Sequence, residues 1–124
     1  MKTIICGSRW INNYFLIDVS IQAAEKEKGI KITEIVTGGC SGIDQLAENY
    51  AKEHGIRLSI FPANWSKYDL SAGAIRDQQM VDYADALIAI WDSQSRGTQI
   101  TINMAMKKGI PVYIRLYGKT EEDP

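Results

Sequence analysis

Residues 35–44 have the sequence Ile-Val-Thr-Gly-Gly-Cys-Ser-Gly-Ile-Asp, in which a short apolar run breaks into a glycine-rich turn and then opens a helix. Glycines between a strand and a helix bring bare backbone N–H groups close together, and the helix N-terminus adds partial positive charge. The stretch therefore predicts a phosphate-binding turn. Ser41 and Asp44 also have the spacing of a capping box, so the stretch fits equally a well-capped crossover helix that holds no ligand.

Five apolar, β-branched runs are spaced along the chain, and segments with helical periodicity separate them. Strands that alternate with helices imply right-handed βαβ crossovers and a parallel sheet covered on both faces. The sequence thus predicts an α/β fold, a three-layer sandwich with a mainly parallel sheet. The predicted strands are residues 3–6, 34–37, 58–61, 86–91 and 112–116.

The ends of three predicted helices are marked by a cationic or imidazole side chain, a glycine and an apolar residue. This order is typical of a Schellman stop. The stops are Lys28-Gly29-Ile30, His54-Gly55-Ile56 and Lys108-Gly109-Ile110. His54, the only histidine, is therefore predicted to end a helix, at the wrong end for catalysis in such a fold.

The composition favours one reduced, cytoplasmic domain. A chain of 124 residues with 45% hydrophobic content fits a single core, predicted over residues 1–118. The formal net charge of -1 does not favour a nonspecific nucleic-acid binder, which needs a basic surface. Cys6 and Cys40 lack metal-site spacing, and no signal peptide or transmembrane run is expected. Residues 119–124 are predicted to be a short, flexible acidic tail.

Ligands of an open parallel sheet bind beyond the carboxyl ends of the strands, where the strand-to-helix loops lie. Glycines, hydroxyls and arginines collect in these loops, and three such turns on one edge predict an anion site. Each turn has an alternative use, because an arginine can be solvated and Ser95 or Thr98 can cap a helix. The predicted ligand-binding residues are Gly7, Ser8, Arg9, Gly38, Gly39, Ser41, Gly42, Asp44, Arg76, Ser95, Arg96, Gly97 and Thr98.

Arg76 is predicted to lie in the early turns of a helix, where a cation gains nothing from the helix dipole. We therefore expect an anionic partner for it. The partner is either a ligand or a nearby carboxylate of Asp77, Asp82 or Asp44.

Three tryptophans fall at the same predicted edge. Tryptophan can stack a nucleobase, but it also seals the ends of sheets. Packing is favoured for Trp91, which ends an apolar run, whereas stacking stays open for Trp10 and Trp65.

The sequence lacks the residues that several kinds of binding site and catalytic site require. There is no Gly-Lys-Ser/Thr of a P-loop, no GxGxxG after the first strand, and no Ser/His/Asp or Cys/His set. We therefore expect no metal and no required cofactor.

Five motifs, taken in order, resemble the YspA-like branch of the SLOG superfamily, and the match covers nearly the whole chain. They are Gly7-Ser8-Arg9 and the segments 37–44, 61–65, 72–80 and 92–98. The resemblance implies a Rossmann-like sheet with strand order 3-2-1-4-5. It also implies a pocket for a nucleotide or a nucleotide-derived molecule such as an ADP-ribose-like ligand.

The same superfamily includes the Lonely Guy (LOG) phosphoribohydrolases, which release the base of nucleoside monophosphates. They use an arginine before one strand and a glutamate after a Gly-Gly-x-Gly-Thr loop. Arg76 matches that arginine by position, but Thr101 stands where the glutamate belongs. Without that carboxylate, the chemistry lacks an evident carrier. Asp92 and Asp44 are possible substitutes, so the catalytic candidates are Arg76, Asp92 and Asp44.

Three functions follow from the resemblance. Binding of a small nucleotide-derived ligand is favoured, and a LOG-like or other N-glycosidic hydrolase is the alternative. A nucleic-acid-binding module, by analogy with DNA-processing members such as DprA, is disfavoured by the net charge. No membrane partner is expected, while apolar positions on the last helix allow a homodimer: Ile100, Met104 and Met106.

Overall fold

A parallel five-stranded sheet forms the middle layer of the computed structural model, which describes residues 1–118 apart from the side chain of Leu70. The strand order is β3-β2-β1-β4-β5, which confirms the predicted Rossmann-like α/β fold. The acidic tail predicted at residues 119–124 lies outside the described residues. The strands are β1 Lys2–Gly7, β2 Glu34–Thr37, β3 Arg57–Ile60, β4 Ala86–Trp91 and β5 Val112–Leu116.

The central strands are the most apolar, because helices cover both of their faces. β1 pairs with β4 from Thr3 opposite Ala86 to Gly7 opposite Ile90. On its other side β1 pairs with β2 in parallel register. Side chains alternate along each strand, so neighbouring residues of β1 and β4 enter two different cores.

Helices on the two faces of the sheet supply those cores. α1 (Phe15–Lys28) and α2 (Ile43–Glu53) pack over one face, around Ile17, Ile43 and Ile88. α4 (Ala72–Tyr83) and α5 (Arg96–Lys108) pack over the other, around Val81 and Leu87. The short α3 (Trp65–Tyr68) and the 3₁₀ turn Asp69–Ser71 lead into α4.

The three predicted helix stops are present. Gly29, Gly55 and Gly109 all have left-handed φ angles, of 66°, 63° and 85°. At the end of α2, His54 occupies the C-cap position, and its ring stacks on Tyr50 with centroids 3.8 Å apart. The single histidine therefore lies at the opposite end of α2 from the strand-to-helix loops, as the sequence predicts.

The connections from β1 and from β4 diverge to opposite faces of the sheet. The chain leaves β1 for α1 on one face and leaves β4 for α5 on the other. This switch point, at the carboxyl ends of adjacent strands, is where open α/β sheets form a ligand crevice. Within residues 1–118, no helix has the length and apolar character to cross a membrane.

Candidate functional site

A cavity of about 400 Å³ opens at the switch point between β1 and β4. Four segments contribute to its walls: the end of β1 with the following loop, the loop before α2, one face of α4, and the N-terminal turns of α5. The lining residues are Cys6, Gly7, Arg9, Trp10, Cys40, Asp44, Arg76, Asp77, Met80, Ser95, Arg96, Gly97, Thr98 and Thr101.

The turn between β2 and α2 is closed by a carboxylate of its own. Asp44 Oδ2 accepts hydrogen bonds from the backbone N–H groups of Gly38, at 3.0 Å, and Cys40, at 3.2 Å. α2 begins at Ile43 with Gly42 as the N-cap residue and with no side-chain cap. The capping box expected for Ser41 is therefore wrong, and so is the expectation of bare N–H groups at Gly38 and Cys40.

Burial controls the ionisation of Asp44. It raises the pKa of this carboxyl to about 6, against the opposing effects of the two N–H donors and of Arg76. A carboxyl in this state carries its negative charge at neutral pH and loses it under mildly acidic conditions. The wall of the cavity next to α2 is therefore anionic at neutral pH.

Close packing accounts for two glycines of this turn. A Cβ atom at Gly38 would lie 2.5 Å from Nη1 of Arg76, and one at Gly42 would lie 2.4 Å from the carbonyl oxygen of Arg9. Gly42 also has a φ angle of 75°. Of this turn and the start of α2, only Cys40 and Asp44 line the cavity, whereas the predicted Gly38, Gly39, Ser41 and Gly42 do not.

Arg76 forms a buried ion pair on the floor of the cavity. Its Nε donates to Oδ1 of Asp77 at 2.7 Å, and its Nη1 donates to the carbonyl oxygen of Gly38 at 2.6 Å. Of the partners proposed from the sequence, Asp77 is thus the one that pairs with Arg76. Burial raises the pKa of Asp77, while Arg76 and the Thr101 hydroxyl oppose that effect. The pair is largely self-neutralised, which leaves Arg9 and Arg96 as the cavity's other cations.

The N-terminus of α5 differs from that of α2 because its donors have no protein acceptor. The backbone N–H groups of Arg96, Gly97 and Thr98 donate to no acceptor within residues 1–118. Such groups form a favourable environment for an anion.

The side chain of Thr98 also indicates a place for an anion at the N-terminus of α5. Thr98 is only 6% exposed, and its hydroxyl has no hydrogen-bond partner among the described residues. Every side-chain oxygen that is closed off from solvent in residues 1–118 does have a partner. The Thr98 hydroxyl must therefore open onto the cavity that the residue lines.

Gly97 stands in open space. A Cβ atom there would meet nothing within 4 Å, and its backbone is not in the left-handed region. Packing within residues 1–118 does not explain this glycine. Close approach of a ligand to the helix N-terminus would require it.

A hydrogen-bond network joins the loops after β1 and β4. Asp92 Oδ1 accepts from the backbone N–H groups of Gln94 and Ser95, both at 2.8 Å, and Oδ2 accepts from Trp10 Nε1 at 2.5 Å. Ser8 Oγ accepts from the Asp92 N–H at 3.1 Å and from Ser95 Oγ at 2.9 Å. Ser8 and Asp92, two predicted site residues, therefore hold the loops together and do not line the cavity.

These bonds also fix the charge of Asp92. Partial burial acts to raise its pKa, but the donors Trp10, Gln94, Ser95 and Ser8 outweigh it and hold the pKa well below the usual range. An acid with so low a pKa is a poor proton donor at neutral pH.

The three tryptophans lie in different environments. Trp10 lines the cavity, and its ring packs 6.0 Å from that of Tyr117. Trp65 begins α3, is 53% exposed and lies outside the cavity wall. Trp91 donates from Nε1 to the Ser95 carbonyl oxygen, in agreement with its predicted packing role.

A family model for the YspA, cpYpsA-related SLOG family matches residues 1–68. The chain belongs to this family. Membership supports a nucleotide-related ligand-binding role in general terms. A search of curated protein sequences found no significant match.

Structural comparison covers the fold of nearly the whole chain. An X-ray structure of DNA processing protein A (DprA) from Streptococcus pneumoniae superposes with a TM-score of 0.72 and 19% sequence identity. The match covers 98% of this chain but 52% of DprA, so the SLOG chain spans about half of that protein's length. At this identity the likeness concerns the fold.

Five residues of the SLOG cavity were not predicted as ligand-binding residues: Cys6, Cys40, Asp77, Met80 and Thr101. Helical spacing carried a signal for two of them. Met80 follows Arg76 by four positions and Thr101 follows Thr98 by three, so each shares a helix face with a predicted residue. Residues 1–118 hold no group of three or more His, Cys, Asp or Glu side chains suited to a metal ion.

Proposed function

We propose that this SLOG domain binds a nucleotide-derived ligand in the cavity, with a phosphate group at the N-terminus of α5. The observation that carries the proposal is Thr98, a residue only 6% exposed, whose hydroxyl has no partner among the described residues and opens onto the cavity. The backbone N–H groups of Arg96, Gly97 and Thr98 at the same helix N-terminus also lack an acceptor among the described residues. A phosphate oxygen would satisfy both kinds of donor at once.

Two exposed arginines support a charged ligand at this position. Arg9 and Arg96 line the cavity from the β1 loop and from the first residue of α5. A guanidinium can contact a phosphate through two parallel hydrogen bonds. Arg76 also lines the cavity and contributes positive charge, although it already forms an ion pair with Asp77.

The remaining walls suit the other parts of a nucleotide. Asp44 and Asp77 are carboxylates, which accept hydrogen bonds from ribose hydroxyls. Trp10 offers an aromatic surface held in place by Asp92, against which a base could stack. We therefore propose ADP-ribose and adenosine monophosphate as the first ligands to test, without a metal or a further cofactor.

The decisive experiment replaces Gly97 by alanine and measures binding calorimetrically against ADP-ribose, adenosine monophosphate and inorganic phosphate. Affinity should fall by roughly tenfold or more, because forcing a methyl group into a packed contact costs about 1–3 kcal/mol. The fold should not suffer, since a Cβ at this position meets nothing within 4 Å. Alanine is also the better helix former, by up to ~1 kcal/mol.

Gly73→Ala is the matched control. Gly73 lies in α4, its added Cβ would make an ordinary contact 3.7 Å from Trp65, and it does not line the cavity. Equal affinities in the two variants would exclude the α5 N-terminus as the phosphate site. No binding of any panel member by the wild-type chain would count against the proposal as a whole.

A second function, N-glycosidic hydrolysis, is favoured by one observation. Asp77 lines the cavity and interacts with Thr101, the residue that replaces the LOG glutamate, so a carboxylate reaches this place from α4. It is a better substitute than Asp92, which lies outside the cavity wall. Its pairing with Arg76 reduces its availability, so we expect no release of free base from adenosine monophosphate.

Chromatography for free base and ribose phosphate tests this expectation. Multiple turnovers that vanish in Asp77→Asn and persist in Asp82→Asn would establish the hydrolase in place of the simple binder. Asp82 is a suitable control because its side chain is exposed, accepts a hydrogen bond from Gln78 and does not line the cavity.

The homodimer stays a proposal. Ile100 and Met106 are exposed on α5, and Met104 is partly buried beside the core that α5 covers. Light scattering of the wild type and of Ile100→Glu would test it. Binding of nucleic acid is not expected, and a fluorescence titration with a single-stranded oligonucleotide would check that expectation.

A further inference from the structure

One thiol of the cavity contacts a guanidinium group. Cys40 is half-buried, and its Sγ accepts a hydrogen bond from Arg9 Nη2 at 3.6 Å. Arg76 and Arg96 line the same cavity. Partly exposed cysteines in such cation-rich surroundings are the ones that react with oxidants and electrophiles.

We propose that Cys40 is a site of oxidation by hydroperoxides, and that its oxidation prevents an anion from binding in the cavity. The second half rests on the function proposed above, whereas the first half does not. Asp44 and Asp77 also line the cavity, and their negative charges oppose those of Arg9, Arg76 and Arg96. The hydrogen bond that the sulfur accepts nevertheless comes from a cation.

The neighbouring thiol provides an internal reference. Cys6 also lines the cavity, but it is 7% exposed and belongs to the core beneath α4 and α5. Burial raises the pKa of Cys6 well above its usual value, and Asp44 and Asp77 act in the same direction. Cys6 therefore stays in the unreactive thiol form, and the two cysteines should differ in reactivity.

A second observation marks the same cavity as a place for a ligand. Thr98 presents its unpartnered hydroxyl there, from a residue that is 6% exposed. Cys40 thus lines a cavity in which the Thr98 hydroxyl and the N–H groups at the start of α5 have no hydrogen-bond partner among the described residues. Modification of its sulfur would change the chemistry that the partner meets.

The reaction balances with a hydroperoxide as the oxidant. The Cys40 sulfur attacks the terminal oxygen, an S–O bond forms and the O–O bond breaks. The leaving hydroxide or alkoxide takes up the thiol proton and departs as water or an alcohol. Sulfur is oxidised by two electrons to a sulfenic acid, and the peroxide is reduced.

The oxidised sulfur would compete with the ligand for Arg9. The added oxygen extends from a sulfur that already contacts this guanidinium, so it takes up donors that a phosphate group would need. By reciprocity, a bound anion occupies those donors and covers the sulfur. Oxidation and ligand binding should therefore exclude each other.

The first arm of the test measures oxidation alone. The full chain is treated with limiting hydrogen peroxide, sulfenic acid is trapped with dimedone, and labelling of each cysteine is followed by peptide mass spectrometry. Cys40 should be labelled and Cys6 should not. Arg9→Gln should slow labelling roughly tenfold, as for loss of one hydrogen bond to a charged group.

Arg57→Gln is the control for removal of a positive charge, because Arg57 is an exposed arginine on β3 that does not line the cavity. It should label at the wild-type rate. Equal rates in Arg9→Gln and Arg57→Gln, or labelling of Cys6 as fast as that of Cys40, would overturn the proposed oxidation site.

The second arm tests exclusion and separates the two proposals. ADP-ribose at ten times its dissociation constant should slow Cys40 oxidation about tenfold, the factor expected for mutually exclusive binding. ADP-ribose that binds the reduced chain without protecting Cys40 would refute the exclusion and leave the proposed function intact. Failure of every panel ligand to bind would refute the function and the exclusion, while the first arm would still decide the oxidation site.

Discussion

The N-termini of α2 and α5 lie at the same edge of the sheet, yet their backbone N–H donors are used differently. Each helix follows a strand through a short loop that contains serine; glycines lie in the loop before α2, whereas Gly97 lies in the first turn of α5. Before α2, the N–H groups of Gly38 and Cys40 already bind the carboxylate of Asp44. At α5, the N–H groups of residues 96–98 have no acceptor within residues 1–118.

The difference shows that glycine at the start of a helix indicates a place for an anion without indicating the source of that anion. At α2 the anion belongs to the chain and is present from the moment of folding. At α5 it would have to come from solution. Mutations at the first helix should therefore affect stability, and mutations at the second should affect binding.

The largest effect is expected at the closed turn. Gly42→Ala introduces a Cβ 2.4 Å from the Arg9 carbonyl oxygen in a residue with a φ angle of 75°. Backbone strain and overpacking together should lower the free energy of unfolding by about 3–5 kcal/mol. Urea denaturation measures the change, with Gly97→Ala as the α5 counterpart. If both variants unfold at the same urea concentration, the two helix N-termini are not distinguished in this way.

A somewhat smaller effect concerns the internal anion. Burial raises the pKa of Asp44 from 3.8 to about 6, so the folded chain holds this proton more tightly than the unfolded chain does. The contribution of Asp44 to the free energy of unfolding should therefore be greatest below pH 3.8 and should fall as the pH rises from 3.8 to about 6. The loss amounts to about 3 kcal/mol, at about 1.4 kcal/mol for each pKa unit.

Asp44→Asn isolates this contribution, because an amide oxygen can still accept from the two N–H groups and does not ionise. The variant should lose this part of the pH dependence, whereas the contribution of Asp77 should remain in both chains. Urea midpoints measured across the same pH range give the comparison. Identical pH profiles for the two chains would contradict the assigned role of Asp44.

The smallest effect comes from a matched pair of threonines. Thr37, at the end of β2, donates from its buried hydroxyl to Glu48 Oε2 at 2.8 Å, whereas the Thr98 hydroxyl has no described partner. Thr37→Val should cost about 1.5–3 kcal/mol of unfolding free energy, the range for a hydrogen bond to a charged group. Thr98→Val should change it by less than ~0.5 kcal/mol.

Ligand affinity should rank these two variants in the opposite order. Calorimetry with ADP-ribose should show weaker binding for Thr98→Val and little change for Thr37→Val. A strongly destabilised Thr98→Val would mean that its hydroxyl serves the fold, and the contrast between the helix N-termini would then disappear.

Sequence reasoning predicted the fold well because alternation of strands and helices leaves few topologies. The parallel sheet and its two covered faces followed from periodicity, and the strand order followed from the family resemblance. Boundaries differed by one residue: β1 includes Lys2 and Gly7, and β3 is Arg57–Ile60 where residues 58–61 were predicted. Strand ends are set by pairing partners, which the local sequence does not specify.

The site was predicted less completely. Eight of the predicted ligand-binding residues line the cavity: Gly7, Arg9, Asp44, Arg76, Ser95, Arg96, Gly97 and Thr98. Ser8 and Gly38 have polar or small side chains suited to binding but are used for packing and loop contacts. Their roles depend on Asp92 and Arg76, which are distant in sequence, so local motifs could not distinguish the two uses.

The bond between Trp10 and Asp92 gives the molecule a built-in optical reporter. The indole N–H of Trp10 points at a carboxylate that stays ionised, while the same side chain lines the cavity. Indole emission responds to charge and to water around the ring, so a ligand that enters beside Trp10 should register in its fluorescence. Trp65, exposed and outside the cavity wall, would supply a constant background against which that signal is read.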